Sequence, residues 1–434
     1  MLTNPDLEAA LNYLLSVFRP THEIALVPLD QALGLVTAAD VRALGDTPPF
    51  DRSAMDGFAM RSSDTLKARE DAPVKLNVTG VVYAGGVFEG ALGPFQAVRI
   101  MTGAAMPNGA DCMLPKEIVK LKGDSLLVFA PARPHDNYIF RGEDIHSGDL
   151  FLSQGARLDS LSLAMLATTG LGKAQVYRPL NIGVFCVGDE FSPPDTALPP
   201  GKIFNSNGIM LTARLKEFGF DPPPFRVLPD DPKMAAAILK SQISDLDVII
   251  TAGSVSVGDK DIMHSVFDLL GVDRCVHRLA FKPGSAFLCG GIETSKLTEP
   301  NESRESKENQ EAKKLKPFFC LSGNPFAALA TLELVVRPIL ANIAHLPHLV
   351  PRRAKAVLVS PFSQKQGTRQ RRFLRARLTD QPGDLPFLTL PDGHSSGRVF
   401  SLAGCNCLVE LAPGLAELPV GTVTDVIRLD FPSD

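Results

Sequence analysis

The chain has 434 residues, 45% of them apolar, with 44 Lys and Arg against 48 Asp and Glu and a formal net charge of −4. That length is about three domains' worth, with enough apolar content for separate cores, and the charge balance excludes the basic footprint of a nucleic-acid-binding protein. The first 20 residues carry acids where a secretory signal carries Lys or Arg, and no apolar run approaches membrane length, which predicts a cytoplasmic protein without a membrane partner.

Leu7, Ala10, Leu11, Leu14, Leu15 and Phe18 keep helical spacing behind Asn4 as cap and Pro5 in the first turn, so an amphipathic helix opens the chain. Residues 48 to 60 read PPFDRSAMDGFAM. Asp56-Gly57 between apolar residues is a hairpin-turn signal, because glycine tolerates positive φ and the carboxylate can bond nearby backbone; a functional acid is the equal alternative. From 72 to 155, short runs such as VKLNVTGVVYAG, AVRIMTG and SLLVFA predict a β-rich module. Residues 158 to 179 read as a helix ending near Gly170 to Gly172, followed by a strand.

The middle of the chain differs in kind. NIGVFCVGDE (181 to 190) predicts a buried strand running into an acidic turn, and NGIMLTARLKEFG (207 to 219) a helix stopped by Gly219. FRVLPDDP (225 to 232) repeats strand and acidic turn before the helix MAAAILKSQI, and DVIITAGSVSVGDKD (247 to 261) is a strand with a glycine-rich turn. CVHRLAF reads as one strand leading to Lys282-Pro283-Gly284. FFCLSGNPFAALATLELVVRPIL (318 to 340) is strand, turn and helix, with Asn324 as cap and Pro325 at the first helical position. Repeated strand-loop-helix units predict an α/β domain with a largely parallel sheet, whose ligands bind beyond the carboxyl ends of the strands. Residues 293 to 316 mix charges of both signs without aromatics and read as a solvated excursion. Beyond 343, turns at Pro382-Gly383, Pro391-Asp392-Gly393, Pro413-Gly414 and Gly421 predict a small antiparallel β domain.

Glu190, Asp230, Asp231, Asp259 and Asp261 all fall at the predicted ligand edge. Carboxylates converging there suit a hard cation such as Mg²⁺, although Asp230-Asp231-Pro232 taken alone is ordinary helix-capping chemistry. Gly253, Ser254, Ser256 and Gly258 could cradle an oxyanion with backbone N–H groups and hydroxyls, as could Ser322, Gly323, Asn324 and Pro325, but neither run matches a nucleotide-binding fingerprint. Lys282 is equally an anion-binding cation or a surface lysine. Seven scattered cysteines with no C-x-x-C spacing argue against a disulfide framework or zinc finger, and eight scattered histidines show no metal spacing.

PPFDRSAMDGFAM, RIMTGAAMPNGAD, FRGEDIHSGD, VGDE, PDDP, GSVSVGDKD, FKPGSAF and LSGNP, in this order, resemble the molybdopterin molybdenumtransferase family over nearly the whole chain. The resemblance implies a multidomain α/β enzyme: a linking domain of residues 1–47 with 145–178, a β-rich module of 48–144, a molybdopterin-binding α/β domain of 179–342 and a C-terminal β domain of 343–434. It implies a cytosolic homodimer whose cleft is shared between subunits, with molybdopterin adenylyltransferase as upstream partner. The implied reaction takes adenylylated molybdopterin and molybdate, releases AMP with Mg²⁺, and leaves molybdenum on the pterin dithiolene. By motif, Asp56, Thr102 and Asp144 face the cleft from the β-rich module. Glu190, Asp230, Asp261 and Lys282 come from the α/β domain, with Glu190 and Asp261 nearest the metal, Asp144 and Asp230 in support and Lys282 on the anion. Asp51 is expected to be structural. The chain departs from the family where Ser285 replaces a second lysine, and also at Ser254 and Ser322. These departures leave a non-catalytic pterin-binding or scaffolding paralogue as the alternative.

Overall fold

The computed structural model describes residues 1–255, 261–293, 315–364, 367–391, 393 and 395–429. The chain divides into two compact units, Ile24–Val176 and Met1–Glu23 with Tyr177–Asp434.

In the unit Ile24–Val176, six strands form one sheet in the order Cys112–Pro115, Gly57–Met60, Gln96–Ile100, Val74–Val82, Ser125–Val128, Val119–Lys122. Strand periodicity explains its burial on both faces. Phe58 and Met60 join Leu76, Leu126 and Val128 on one side, while Ala59 joins Val98, Ile100 and Met113 on the other. Gly57 does not take positive φ, contrary to the turn reading, but opens a strand in register with Ile100 and Pro115. A Cβ there would lie 2.0 Å from the Leu114 carbonyl oxygen, so glycine serves close strand approach. A second core of Leu158, Leu166, Ala174 and Val176 lies under the helix Ser160–Thr168.

In the other unit a seven-stranded sheet runs Leu2–Thr3, Asp273–His277, Leu288–Glu293, Leu315–Leu321, Val248–Ala252, Ile182–Val187, Arg226–Leu228. Pairings are parallel except the two made by Leu288–Glu293. The adjacent Phe318 and Phe319 point to opposite faces: Phe318 packs with Phe185, Ile249 and Phe267, and Phe319 meets Phe18 edge-on at 5.9 Å. Each such fully buried side chain contributes about 1.5–3 kcal/mol. The opening helix is Leu7–Val17, capped by Asp6 rather than Asn4: the Asp6 carboxylate accepts from the Ala9 N–H at 2.8 Å, while Asn4 sits at φ 53°.

CVHRLAF is two strands rather than one. Arg278 turns to φ 63°, ending Asp273–His277, and Phe281–Lys282 leaves the central sheet to pair in parallel with Arg371 and Arg372. Its new neighbours belong to a closed barrel of Arg371–Gln381, Asp384–Thr389, Arg353–Leu358, Val423–Arg428 and Cys407–Leu411, the last pairing back onto the first. One of its pairings, Arg353–Leu358 with Asp384–Thr389, is parallel, so the domain is not purely antiparallel as expected. Leu374, Ala376 and Leu378 alternate into its core.

The helix Pro325–Ile343 is long and apolar enough to cross a membrane, contrary to the expectation that no apolar run approaches that length, but 83% of its apolar window is buried inside the protein. It contains a π-helical segment, Leu332–Val336, that carries the fully buried Glu333. Glu333 accepts from Arg214 and, at 2.8 Å, from the buried Arg337. Arg214 also donates to the Leu429 carbonyl at the end of the barrel.

Candidate functional site

The stretch that bends between Arg52–Ser53 and Gly57–Met60 places Asp56 beside the turn that follows Gln96–Ile100. Thr102 donates its backbone N–H at 2.9 Å and its hydroxyl at 2.8 Å to one Asp56 oxygen, and Lys116 lies 3.7 Å from the other. These contacts, led by the Thr102 backbone bond, hold the Asp56 carboxyl below the usual range. Asp51 is tied differently. It accepts from the Tyr138 phenol at 2.6 Å and the Arg141 N–H at 2.8 Å, and Met106 donates to its carbonyl at 2.9 Å. Asp144 is exposed, its N–H donates to the Thr47 carbonyl, and no hydrogen bond joins it to Asp56 or Thr102 among the described residues.

A second set gathers at the carboxyl ends of Ile182–Val187, Arg226–Leu228 and Val248–Ala252, which are sheet neighbours. Asp230 accepts from the Asp189 N–H at 3.2 Å and from the Ser254 hydroxyl at 3.1 Å, joining three successive loops. Two glycines permit the convergence. A Cβ on Gly253 would lie 2.5 Å from the Val187 carbonyl oxygen, and one on Gly188 would lie 2.0 Å from a Glu190 carboxylate oxygen, because that side chain folds back over the loop. Asp231 is a helix cap, accepting from the Met234 N–H at 2.7 Å. Asp261 lies near His264, where its charge opposes the lowering of the imidazole pKa by burial. Ser256, Gly258 and Asp259 fall outside the described residues, as does most of the charged stretch at 293–316. Among the described residues no group of three or more His, Cys, Asp or Glu gathers as a metal-binding set.

A third place was only half legible in the sequence. A cavity of about 450 Å³ is lined by the loop Lys282 to Ala286, by Ser322 and Asn324, and by Thr368, Arg372, Phe373 and Ser396. Gly284 holds its loop against the long helix at φ 106°, where a Cβ would come within 2.3 Å of the Thr331 hydroxyl. Gly323 is anchored by the Asn207 amide, which donates to its carbonyl at 2.7 Å. Asn324 and Pro325 occupy the cap and first helical positions, although the Asn324 side chain makes no capping bond. Phe326 donates to the Ser396 carbonyl, fixing the barrel loop against the helix start. Arg372 donates to Gln364, and burial pushes its pKa below the ordinary value. Thr368, Arg372 and Ser396 were not singled out from sequence; the basic run Arg369 to Arg372 and the Ser395-Ser396-Gly397 turn were the available signals.

Three family models match the chain: MoeA N-terminal region (domain I and II) over residues 6–170, probable molybdopterin binding domain over 183–342, and MoeA C-terminal region (domain IV) over 355–429. The molybdopterin molybdenumtransferase of Bacillus subtilis is 33% identical over 419 residues, covering 95% of this chain and 91% of that one. Its counterpart in Staphylococcus epidermidis is 31% identical over 407 residues, covering 92% and 90%. A solved structure of the molybdopterin biosynthesis MoeA protein from Pyrococcus horikosii superposes with a TM-score of 0.76 at 30% identity, covering 98% of this chain and 99% of that one.

Proposed function

Because this chain belongs to the molybdopterin molybdenumtransferase family and is an enzyme of molybdenum cofactor biosynthesis, we propose that it inserts molybdenum from molybdate into adenylylated molybdopterin with Mg²⁺-dependent release of AMP. The observation that carries this reading is Asp230, bonded at once to the loop of Glu190 and to Ser254 at the ligand edge of the sheet.

Releasing AMP means that water adds to the adenylyl phosphorus and the bond to the bridging oxygen breaks. The chain must therefore neutralise phosphate charge rather than supply a covalent nucleophile. Glu190, Asp230 and Asp261 are oxygen donors of the kind Mg²⁺ takes one or two at a time beside substrate phosphates, which suits this edge better than an all-protein cage. When bound, Mg²⁺ supplies Lewis acidity to the phosphate oxygens. Glu190 and Asp261 are assigned as its holders, Asp230 and Asp144 as support, and Asp56 with Thr102 as substrate-facing groups. Gly253, Ser254 and the Ser322 to Pro325 turn offer donors to the pterin substrate, and Lys282 holds the incoming anion. The reading includes a cytoplasmic homodimer whose cleft is completed by the partner subunit, and an adenylyltransferase that supplies the substrate.

The scaffolding alternative drew on the absence of a second lysine at Ser285. Arg372 in the same cavity weakens that ground. Incubation with adenylylated molybdopterin, Mg²⁺ and molybdate is expected to release AMP in proportion to enzyme; AMP at the level of the protein-free blank would leave the scaffold as the better account.

A further inference from the structure

Resting on that reading, we propose that Lys202 is a positioning residue for the metal-dependent step: its ammonium pins the loop that carries Glu190 without occupying a carboxylate oxygen. Lys202 follows the turn at 199–201, where Gly201 takes φ 78° and the Lys202 N–H donates to the Pro199 carbonyl at 3.1 Å. The next two residues, Ile203–Phe204, pair in parallel with Phe191–Ser192. Asn205 then caps the helix Ser206–Glu217, its side chain accepting from the Gly208 N–H at 2.9 Å. Lys202 is thus set on a short strap fixed at both ends. From there its ammonium donates to the Asp189 carbonyl, on the far side of the acidic loop.

That bond acts on the peptide just before Glu190, and the Ile203 N–H donates at 2.9 Å to the carbonyl just after it, so the backbone of Glu190 is held on both sides. The Asp189 N–H reaches the Asp230 carboxylate at 3.2 Å, which ties the same loop to the second acidic loop. An ammonium this close to acids ordinarily pairs with one of them. Yet Asp189, Glu190 and Asp230 make no ion pair among the described residues, because Lys202 spends its bond on a backbone oxygen. It therefore brings positive charge to acids that repel one another while leaving their oxygens for the ion, whereas a lysine paired to a carboxylate would compete with Mg²⁺ for it. A charged donor also makes the stronger kind of hydrogen bond, which suits a tether that must hold a loop in place.

The test compares Lys202→Met and Lys202→Arg in the full chain by two measurements. In the ligand-free protein, hydrogen–deuterium exchange at residues 188–192 is expected to be about tenfold faster in Lys202→Met, the loss of one charge-assisted hydrogen bond. It is expected to stay near the wild-type rate in Lys202→Arg, which keeps the donor and its charge. AMP release by Lys202→Met is expected to need about tenfold more Mg²⁺ for its half-maximal rate, with KM for adenylylated molybdopterin little changed and Lys202→Arg recovering most of the loss. If Lys202→Met misfolds, Lys202→Gln, which keeps a donor and loses the charge, must still show the raised Mg²⁺ requirement. Exchange at the wild-type rate in the folded variant, or wild-type Mg²⁺ dependence even with faster exchange, overturns the proposal. Absence of AMP release by the wild-type chain at every Mg²⁺ concentration overturns the underlying reaction instead, and the exchange measurement then decides by itself whether Lys202 holds the loop.

Discussion

Thr102 gives both of its donors, backbone N–H and hydroxyl, to the same oxygen of Asp56. An acid held this way stays ionised to lower pH than a free one. A carboxyl with a depressed folded-state pKa contributes stability above its unfolded value, and that contribution is lost as pH falls through the folded pKa. Thr102→Val is therefore expected to raise the Asp56 titration midpoint, followed by carboxyl NMR, and to make unfolding begin at higher pH on acidification. An unmoved midpoint would show that the backbone bond alone sets it.

Gly57→Ala should destabilise the unit Ile24–Val176 by roughly 2–3 kcal/mol, because the added carbon meets the Leu114 backbone rather than a yielding side chain. Urea unfolding measures this. A change below about 0.5 kcal/mol, the range of ordinary surface substitutions, would mean that the strands separate more easily than their register implies.

Glu333 is fully buried between Arg214 and Arg337. Removing one member of such a set leaves unpaired charge in the interior, at a cost of about 3–5 kcal/mol. Glu333→Ala is expected to lower the chemical midpoint accordingly, with Glu333→Gln intermediate, since it keeps the shape and a hydrogen-bond acceptor.

Under the proposed reaction, Asp261→Ala should leave pterin binding measurable while stopping AMP release, because Asp261 is there assigned as a holder of the metal and lies outside the strands of the sheet. Fluorescence titration with molybdopterin and an AMP assay separate the two effects. Turnover equal to wild type would remove Asp261 from the mechanism.

Burial pushes the thiols of Cys112 and Cys320 up to about 12, and those of Cys186 and Cys275 up to about 11. Only the thiolate is alkylated readily. Iodoacetamide at pH 8 is expected to leave these four unmodified in the native protein and to label them in denaturant, as mass mapping of peptides would show.

The central parallel strands Ile182–Val187 and Val248–Ala252 were legible because each is a mostly apolar run followed by glycine, and they lie where those runs predicted. Leu288–Glu293 was not, because Gly290 and Gly291 erase the strand signal; Gly290 is demanded by contact, a Cβ there coming within 2.5 Å of Val272. CVHRLAF failed as one strand because nothing in its composition marks the left-handed turn at Arg278. At the candidate site, the acidic loops could be read because each sits just after its own strand. The place of Arg372 in the cavity could not, since it depends on a cross-strand neighbour distant in the chain.

The annexed strand Phe281–Lys282 makes the barrel something other than a detachable appendage. One wall of the cavity is encoded before the long helix and the facing wall after it, so neither segment can be exchanged alone without remaking the seam between them. A chimera that borrowed its barrel from a relative would have to carry the strand Phe281–Lys282 with it to keep that edge paired.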